Sequence, residues 1–319
     1  MKILKGIRGL SWQDGELCTF IAALQRTLES LGEDHTYPYL MGLSGAAFRL
    51  QIHRDGLCPS GPDATCGFDS CAHILKTLRY SYRCLQTSDG EETIKSAVKE
   101  SIGAGIAAIA ADLIETPDWG LIVGYDDDND YLVLTYFNDH KNKPQPAQKP
   151  PWFIYLLGEK PGSLNRDEAE RKSLFLLRNL LENLSYGAYH TGQAAYQAWL
   201  DRLKNIGRFL AGLRENRGDH LIGNYWNYIS LIDARKAAKK YLQEEIRFRR
   251  FDNDAIYRKM GDLFGQEAEA LSEYDMKPPF QDDGKSMLQE GNVKRQMEAL
   301  QQAAVFERKV LGLWERLEL

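Results

Sequence analysis

The stretch Pro117-Asp118-Trp119-Gly120-Leu121-Ile122-Val123-Gly124-Tyr125-Asp126-Asp127-Asp128-Asn129-Asp130-Tyr131-Leu132-Val133-Leu134 decides how this chain is read. Trp119 to Tyr125 is a short apolar run of the length and composition of a buried strand. Tyr131 to Tyr136 is a second. Asp126 to Asp130 between them is turn chemistry, because short acidic and amide side chains bond their own backbone. The tip resembles a calcium loop only superficially, since it lacks the internal glycine and the distal glutamate. A hairpin with a solvated tip is the expectation.

Working outward, Ile106 to Leu113 supplies a third strand, Tyr80 to Leu85 a fourth, and Trp152 to Leu157 a last one after a polar, proline-bearing loop from Asn138 to Pro151. Helices are expected between and before them. Glu16 to Leu31 carries Leu17, Phe20, Ile21, Leu24, Leu28 and Leu31 at three-and-four spacing, with Gly32 as a stop. Phe68 to Leu78 is a second helix, and Glu91 to Ile102, capped by Ser88 or Asp89, a third. Near-continuous apolar strands beside helices imply a sheet covered on at least one face.

From Arg166 onward the texture changes. Leu174, Leu177, Leu180, Leu181 and Leu184 open a helical pattern that continues through Tyr189–Leu213, Leu221 to about Arg249 and Asp254–Tyr274. Pro278 and Pro279 break it, and Asn292–Leu317 resumes it. No heptad persists, so a bundle is expected, not a coiled coil. The reading is an α+β protein of two domains, residues 1–160 mixed and residues 161–319 all-helical.

The 319 residues are 43% hydrophobic and 27% charged, with a net charge of −5. That balance offers no global basic field for nucleic acid or anionic membrane. The run Arg247-Phe248-Arg249-Arg250 reads as the solvated end of a helix. No stretch approaches the ~18 apolar residues of a membrane span, and the N-terminus lacks a signal-peptide core, so a cytoplasmic location is expected. Five cysteines, an odd number, argue against a disulfide framework. Cys58, Cys66 and Cys71 cluster loosely near His53 and His73 but form no tight pair, so neither a metal nor a cofactor is expected.

Cys18 is the first residue with candidate chemistry. It stands at the start of the first expected helix, where backbone N–H groups and the helix dipole favour thiolate. Gln13, five residues upstream, is placed to offer its amide to an oxyanion beside that thiol. The competing reading is a small buried cysteine facing the core.

Gln13 and Cys18 ahead of a helix, then helix, strand, helix and the hairpin from Pro117 and Trp119 to Leu134, resemble the papain-like fold. In layout they are similar to bacteriocin leader-processing peptidases and to the N-terminal domain of butirosin-type aminoglycoside acyltransferases. Tyr39-Leu40-Met41-Gly42-Leu43-Ser44-Gly45-Ala46-Ala47-Phe48-Arg49-Leu50 resembles the block that follows the cysteine helix in the latter group, and Gly192 to Trp199 resembles their helical C-terminal parts. The resemblance implies Cys18 as nucleophile, Gln13 as oxyanion donor, and Trp119, Ser44, Gly45 and Asn138 as binding positions. The family's histidine falls on Asp118, six residues before Gly124, and its orienting acid near Thr135 or Asn138. A carboxylate beside a thiol disfavours thiolate by like-charge repulsion and is poorly matched to it as a base. His53, His73, His140, His190, His220 and His35 are the remaining imidazoles.

Two functions therefore stand side by side. One is acyl or amide transfer through Cys18 on a small molecule, including a carrier-bound acyl group. The other is a catalytically inactive protein binding a small-molecule or peptide ligand in the same pocket. A structural interaction module built on the helical half is a third.

Overall fold

The computed structural model describes residues 1–128, 130–212, 217–248 and 253–317. Asn129 of the acidic turn, Leu213, and Arg249 and Arg250 of the basic run lie outside the described residues. In chain order the elements are β1 (Lys2–Ile3), α1 (Thr19–Ser30), α2 (Tyr37–Ser44), β2 (Gln51–His53), α3 (Ser70–Thr77), β3 (Tyr82–Gln86), α4 (Glu91–Gly103), β4 (Ala108–Ala111), β5 (Trp119–Tyr125), β6 (Tyr131–Leu134), β7 (Gln145–Pro146) and β8 (Phe153–Leu157). The second half adds α5 (Arg166–Glu182), β9 (Ser185–Tyr186), β10 (Tyr189–Thr191), α6 (Gly192–Lys204), α7 (Ile206–Gly212), α8 (Arg217–Lys240), α9 (Asp254–Ser272) and α10 (Glu290–Trp314). The architecture is α+β. No described helix is long and apolar enough to cross a membrane.

The chain divides into two units that are not simple halves: Met1–Leu40 with Cys71–Leu164, and Met41–Ser70 with Asn165–Leu319. The sequence reading puts residues 41–70 in the first domain; their contacts put them in the helical unit. The cause is packing between segments distant in sequence. Gly45, at φ +78°, backs onto Leu176 and Leu180 of α5, and Gly223 of α8 leaves room for the Leu57 carbonyl, which a Cβ would overlap at 1.8 Å. These approaches depend on glycine and are invisible to periodicity.

The first unit is built on a seven-stranded antiparallel sheet in the order β3-β8-β4-β5-β6-β7, with β1 also pairing β5. Register fixes its faces. Ile109 lies opposite both Leu121 and Tyr155, and Ala110 opposite both Gly120 and Ile154. Side chains alternate along a strand, so Trp119, Leu121 and Tyr155 share one face and Ile122, Ile154 and Leu156 the other. Phe20 of α1 meets the first face, edge-on to Trp119 at 5.1 Å and Tyr155 at 5.4 Å. Ile94, Val98 and Ile102 of α4 bury into the second. Burial on both sides explains why these strands read as continuous apolar runs.

The helical unit closes around Tyr196, Trp199, Tyr228, Leu271 and Leu300, drawn from α6, α8, α9 and α10. It also contains a three-stranded sheet, β2-β10-β9, whose β10 occupies the start of the stretch that the sequence reads as helix from Tyr189. Tyr189 to Thr191 pairs with Gln51 to His53 in that sheet. Beyond Lys240, α8 passes into a π-helical turn, Tyr241–Glu245, and the chain turns extended at Ile246.

Candidate functional site

The segment that delivers Cys18 is held from both ends. Ser11 caps a single 3₁₀ turn, Trp12–Asp14, through its hydroxyl, and Gly15 leaves it at φ +71°. Arg26 reaches back from the buried side of α1 to bind Asp14 at 3.3 Å and Glu16. That guanidinium is fully buried, so the two carboxylates satisfy a charge that water cannot reach. Lys141 donates to both oxygens of Asp14, at 2.6 and 2.7 Å, and the Tyr136 hydroxyl donates to the Glu16 carbonyl at 2.8 Å. Trp12 lies against the Tyr136 ring at 4.2 Å.

These contacts shorten the helix expected from Glu16. It begins at Thr19, and Cys18 is its N-cap residue, not a member of its first turn. The thiol is half-buried. The Cys18 carbonyl accepts the Ala22 N–H at 3.0 Å, starting the helical ladder. The Cys18 N–H donates to the Tyr37 hydroxyl at 2.9 Å. Acyl-transfer sites commonly use the nucleophile's own backbone N–H as an oxyanion donor. Here that hydrogen already has an acceptor within the protein.

The hairpin meets α1 at one defined point. The Trp119 N–H, at the first residue of β5, donates to Thr19 Oγ1 at 3.2 Å. Asp118 is the residue before that N–H and Cys18 the residue before that hydroxyl, so the backbones of the two candidate residues converge on a single buried hydrogen bond. Asp118 is half-buried. Its carbonyl accepts the Asp112 N–H at 3.1 Å, and its own N–H donates to the Thr116 carbonyl at 2.7 Å. Asp112 adopts φ +68°, a left-handed conformation uncommon outside glycine, and is salt-bridged to Lys149 at 2.6 Å. An ion pair and two hydrogen bonds thus hold the bend presenting Asp118, against the cost of a left-handed Asp112.

Thr135 and Asn138 follow β6 at the open end of the hairpin, the end where Asp118 precedes β5. A Cβ on Gly120 would lie 2.9 Å from both the Leu134 carbonyl and Thr135 Cγ2, so β6 ends close against the start of β5. Asn138 Oδ1 accepts from the Thr135 N–H and hydroxyl, both at 2.9 Å, and its amide donates to the Val133 and Lys143 carbonyls. Every hydrogen-bonding atom of the Asn138 side chain is engaged in shaping this loop.

The other sequence-derived positions spread out. Gln13 is exposed, its backbone N–H taken by Ser11. Trp119 is buried between Phe20 and Tyr155. Ser44 and Gly45 belong to the helical unit, where the Ser44 hydroxyl donates to the Met41 carbonyl and accepts the Ala46 N–H. His35 pairs with Glu33 at 3.1 Å and stacks on Tyr39. His140 is exposed, and His73 lies on α3. His53, His190 and His220 lie in the helical unit. Burial lowers the pKa of His190, aided by Arg202 and Arg54, and that of His220, which accepts the Leu57 N–H at 3.1 Å. Among the described residues no group of three or more His, Cys, Asp or Glu is gathered as a metal site.

Three contributors escape a reading by periodicity: Thr19, Arg26 and Tyr37. Arg26 alone left a trace, a cation within the apolar stretch of α1 following two carboxylates. Thr19 carries a direct test. Replacing it with valine keeps the shape and leaves the Trp119 N–H buried without its acceptor, an expected loss of about 1–3 kcal/mol in urea unfolding. An unchanged midpoint would mean this bond does not tie hairpin to helix.

No protein-family model and no curated protein matches this chain.

Proposed function

We propose that the first unit is a papain-like domain of the cysteine-peptidase and acyltransferase superfamily, and that its Cys18–Asp118 site binds a small-molecule or peptide ligand without covalent turnover. The observation that carries this reading is the Trp119–Thr19 hydrogen bond. It supports placing the start of the hairpin strand, where the family keeps its histidine, against the helix headed by the family's cysteine. The chemistry then argues for binding. A carboxylate at the histidine position cannot form a thiolate–imidazolium pair, and its negative charge opposes ionisation of a neighbouring thiol. The Cys18 N–H is committed to Tyr37. Two of the elements that make such a site catalytic are therefore altered, while the rigid presentation of Asp118 remains.

Acyl or amide transfer through Cys18 is the second reading, favoured by a half-buried thiol at the head of α1. All five cysteines are thiols, which suits a reducing, cytoplasmic setting. Alkylation separates the two functions. With limiting iodoacetamide at neutral pH, Cys18 of the binding protein is labelled no faster than the exposed Cys84. Labelling about tenfold faster would signal an activated thiolate and favour acyl transfer.

A further inference from the structure

Four helices of the second unit bring Tyr196 (α6), Arg235 (α8), Glu267 (α9) and Glu307 (α10) into its interior. Tyr196 is 1% exposed and the other three 0%. Arg235 donates through Nε to Glu267 Oε1 at 2.7 Å, through Nη2 to Glu307 Oε1, and through Nη1 to the Ala47 carbonyl at 2.8 Å. The Tyr196 hydroxyl lies 2.8 Å from Glu267 Oε1 and 2.9 Å from Glu307 Oε1.

Hydrogen counting makes this cluster informative. A phenol owns one hydrogen, so it donates to one carboxylate. The second close O···O contact then needs a hydrogen supplied by the other carboxyl group. Charge counting agrees. Two ionised carboxylates against one guanidinium would leave a net negative charge, and among the described residues the buried Glu267 Oε2 and Glu307 Oε2 meet no hydrogen-bond partner. An uncompensated charge there would carry a large desolvation penalty. One added proton removes it.

We infer that Glu267 and Glu307 together bind one proton at neutral pH, shared across the Tyr196 hydroxyl, so that the helical unit contains an interior proton-binding site. The groups facing the pair are Tyr196 from α6 and Arg235 from α8, with Arg308 acting at longer range on Glu307 from α10 itself. Burial raises both carboxyl pKa values, and Arg235 opposes it. The unfolded carboxyl titrates near its ordinary value of 4.5 while the folded pair keeps its proton to higher pH. The stabilising contribution is therefore complete below that value and is lost as pH rises towards the folded pKa. Unfolding between pH 5 and 7 releases this proton, which lowers the folded-to-unfolded ratio by about tenfold per pH unit.

The test compares full-length wild type with Glu267→Gln and Glu307→Gln. Each variant keeps the shape and supplies a permanent N–H in place of the bound proton. Urea unfolding is followed at several pH values from 5 to 7. Wild type is expected to lose about tenfold more per pH unit than either variant, a difference other titrating groups cancel out of. Parallel pH profiles would overturn the inference. Should the variants fail to fold, carboxyl carbon-13 NMR of glutamate-labelled wild type decides: a glutamate resonance that stays protonated through pH 7 is expected, and titration of every glutamate near its ordinary value would overturn it.

Discussion

Replacing Arg235 with alanine is expected to cost the helical unit about 3–5 kcal/mol, enough to unfold a marginally stable domain. Arg235 supplies hydrogen bonds to both buried carboxyl groups and to the Ala47 carbonyl, and it is fully buried. Its removal leaves Glu267 and Glu307 without the cation that bonds them and opens a void where the side chain packs against Phe264 at 5.5 Å. Ordered water refilling the void would soften the loss without restoring the charge. Thermal unfolding followed by circular dichroism measures it. Replacing Arg235, Glu267 and Glu307 together with apolar residues of similar volume should cost less than removing Arg235 alone, because the penalty comes from stranding charge, not from losing a favourable pair. Equal losses would contradict that account.

This network also shows where a sequence stops being legible. Glu267 and Glu307 look like ordinary members of charged helix faces, and only the meeting of α6, α8, α9 and α10 shows that they point inward. Residues 41–70 pose the same difficulty, since their partners lie more than a hundred residues away. Strands buried on both faces were legible because burial writes itself into composition. Trp119–Tyr125 is the strand its residues imply. Where an edge was misjudged, one side chain explains it: β6 ends at Leu134, not Tyr136, because Asn138 captures the Thr135 N–H and hydroxyl. The late start of α1 likewise follows from Arg26 holding Glu16 outside the helix. At the candidate site, sequence brought out Cys18 and Asp118, whose chain neighbours Thr19 and Trp119 are hydrogen-bonded to one another. It could not show that Tyr37, nineteen residues on, would take the Cys18 N–H.

Asp118→His is the second change with a large expected effect. Asp118 stands beside the N–H that binds Thr19, on a bend held by Asp112 and Lys149. If Cys18 and Asp118 share the proposed site, an imidazole presented from that bend replaces a group that opposes thiolate with one that stabilises it as imidazolium. Cysteines paired with histidine in this way ionise well below an unassisted thiol, which titrates near ~8.5. The variant is therefore expected to alkylate Cys18 at least about tenfold faster than wild type at pH 7.

The pH–rate profile of Cys18 alkylation, measured on wild type and Asp118→His by mass spectrometry of the Cys18 peptide, tests the central claim most directly. If Cys18 and Asp118 share a papain-like site, the variant's midpoint moves down by about a unit or more while the profile of the exposed Cys84 stays fixed in both proteins. Superimposable Cys18 profiles would place the two side chains out of reach of one another and contradict the papain-like alignment of the hairpin.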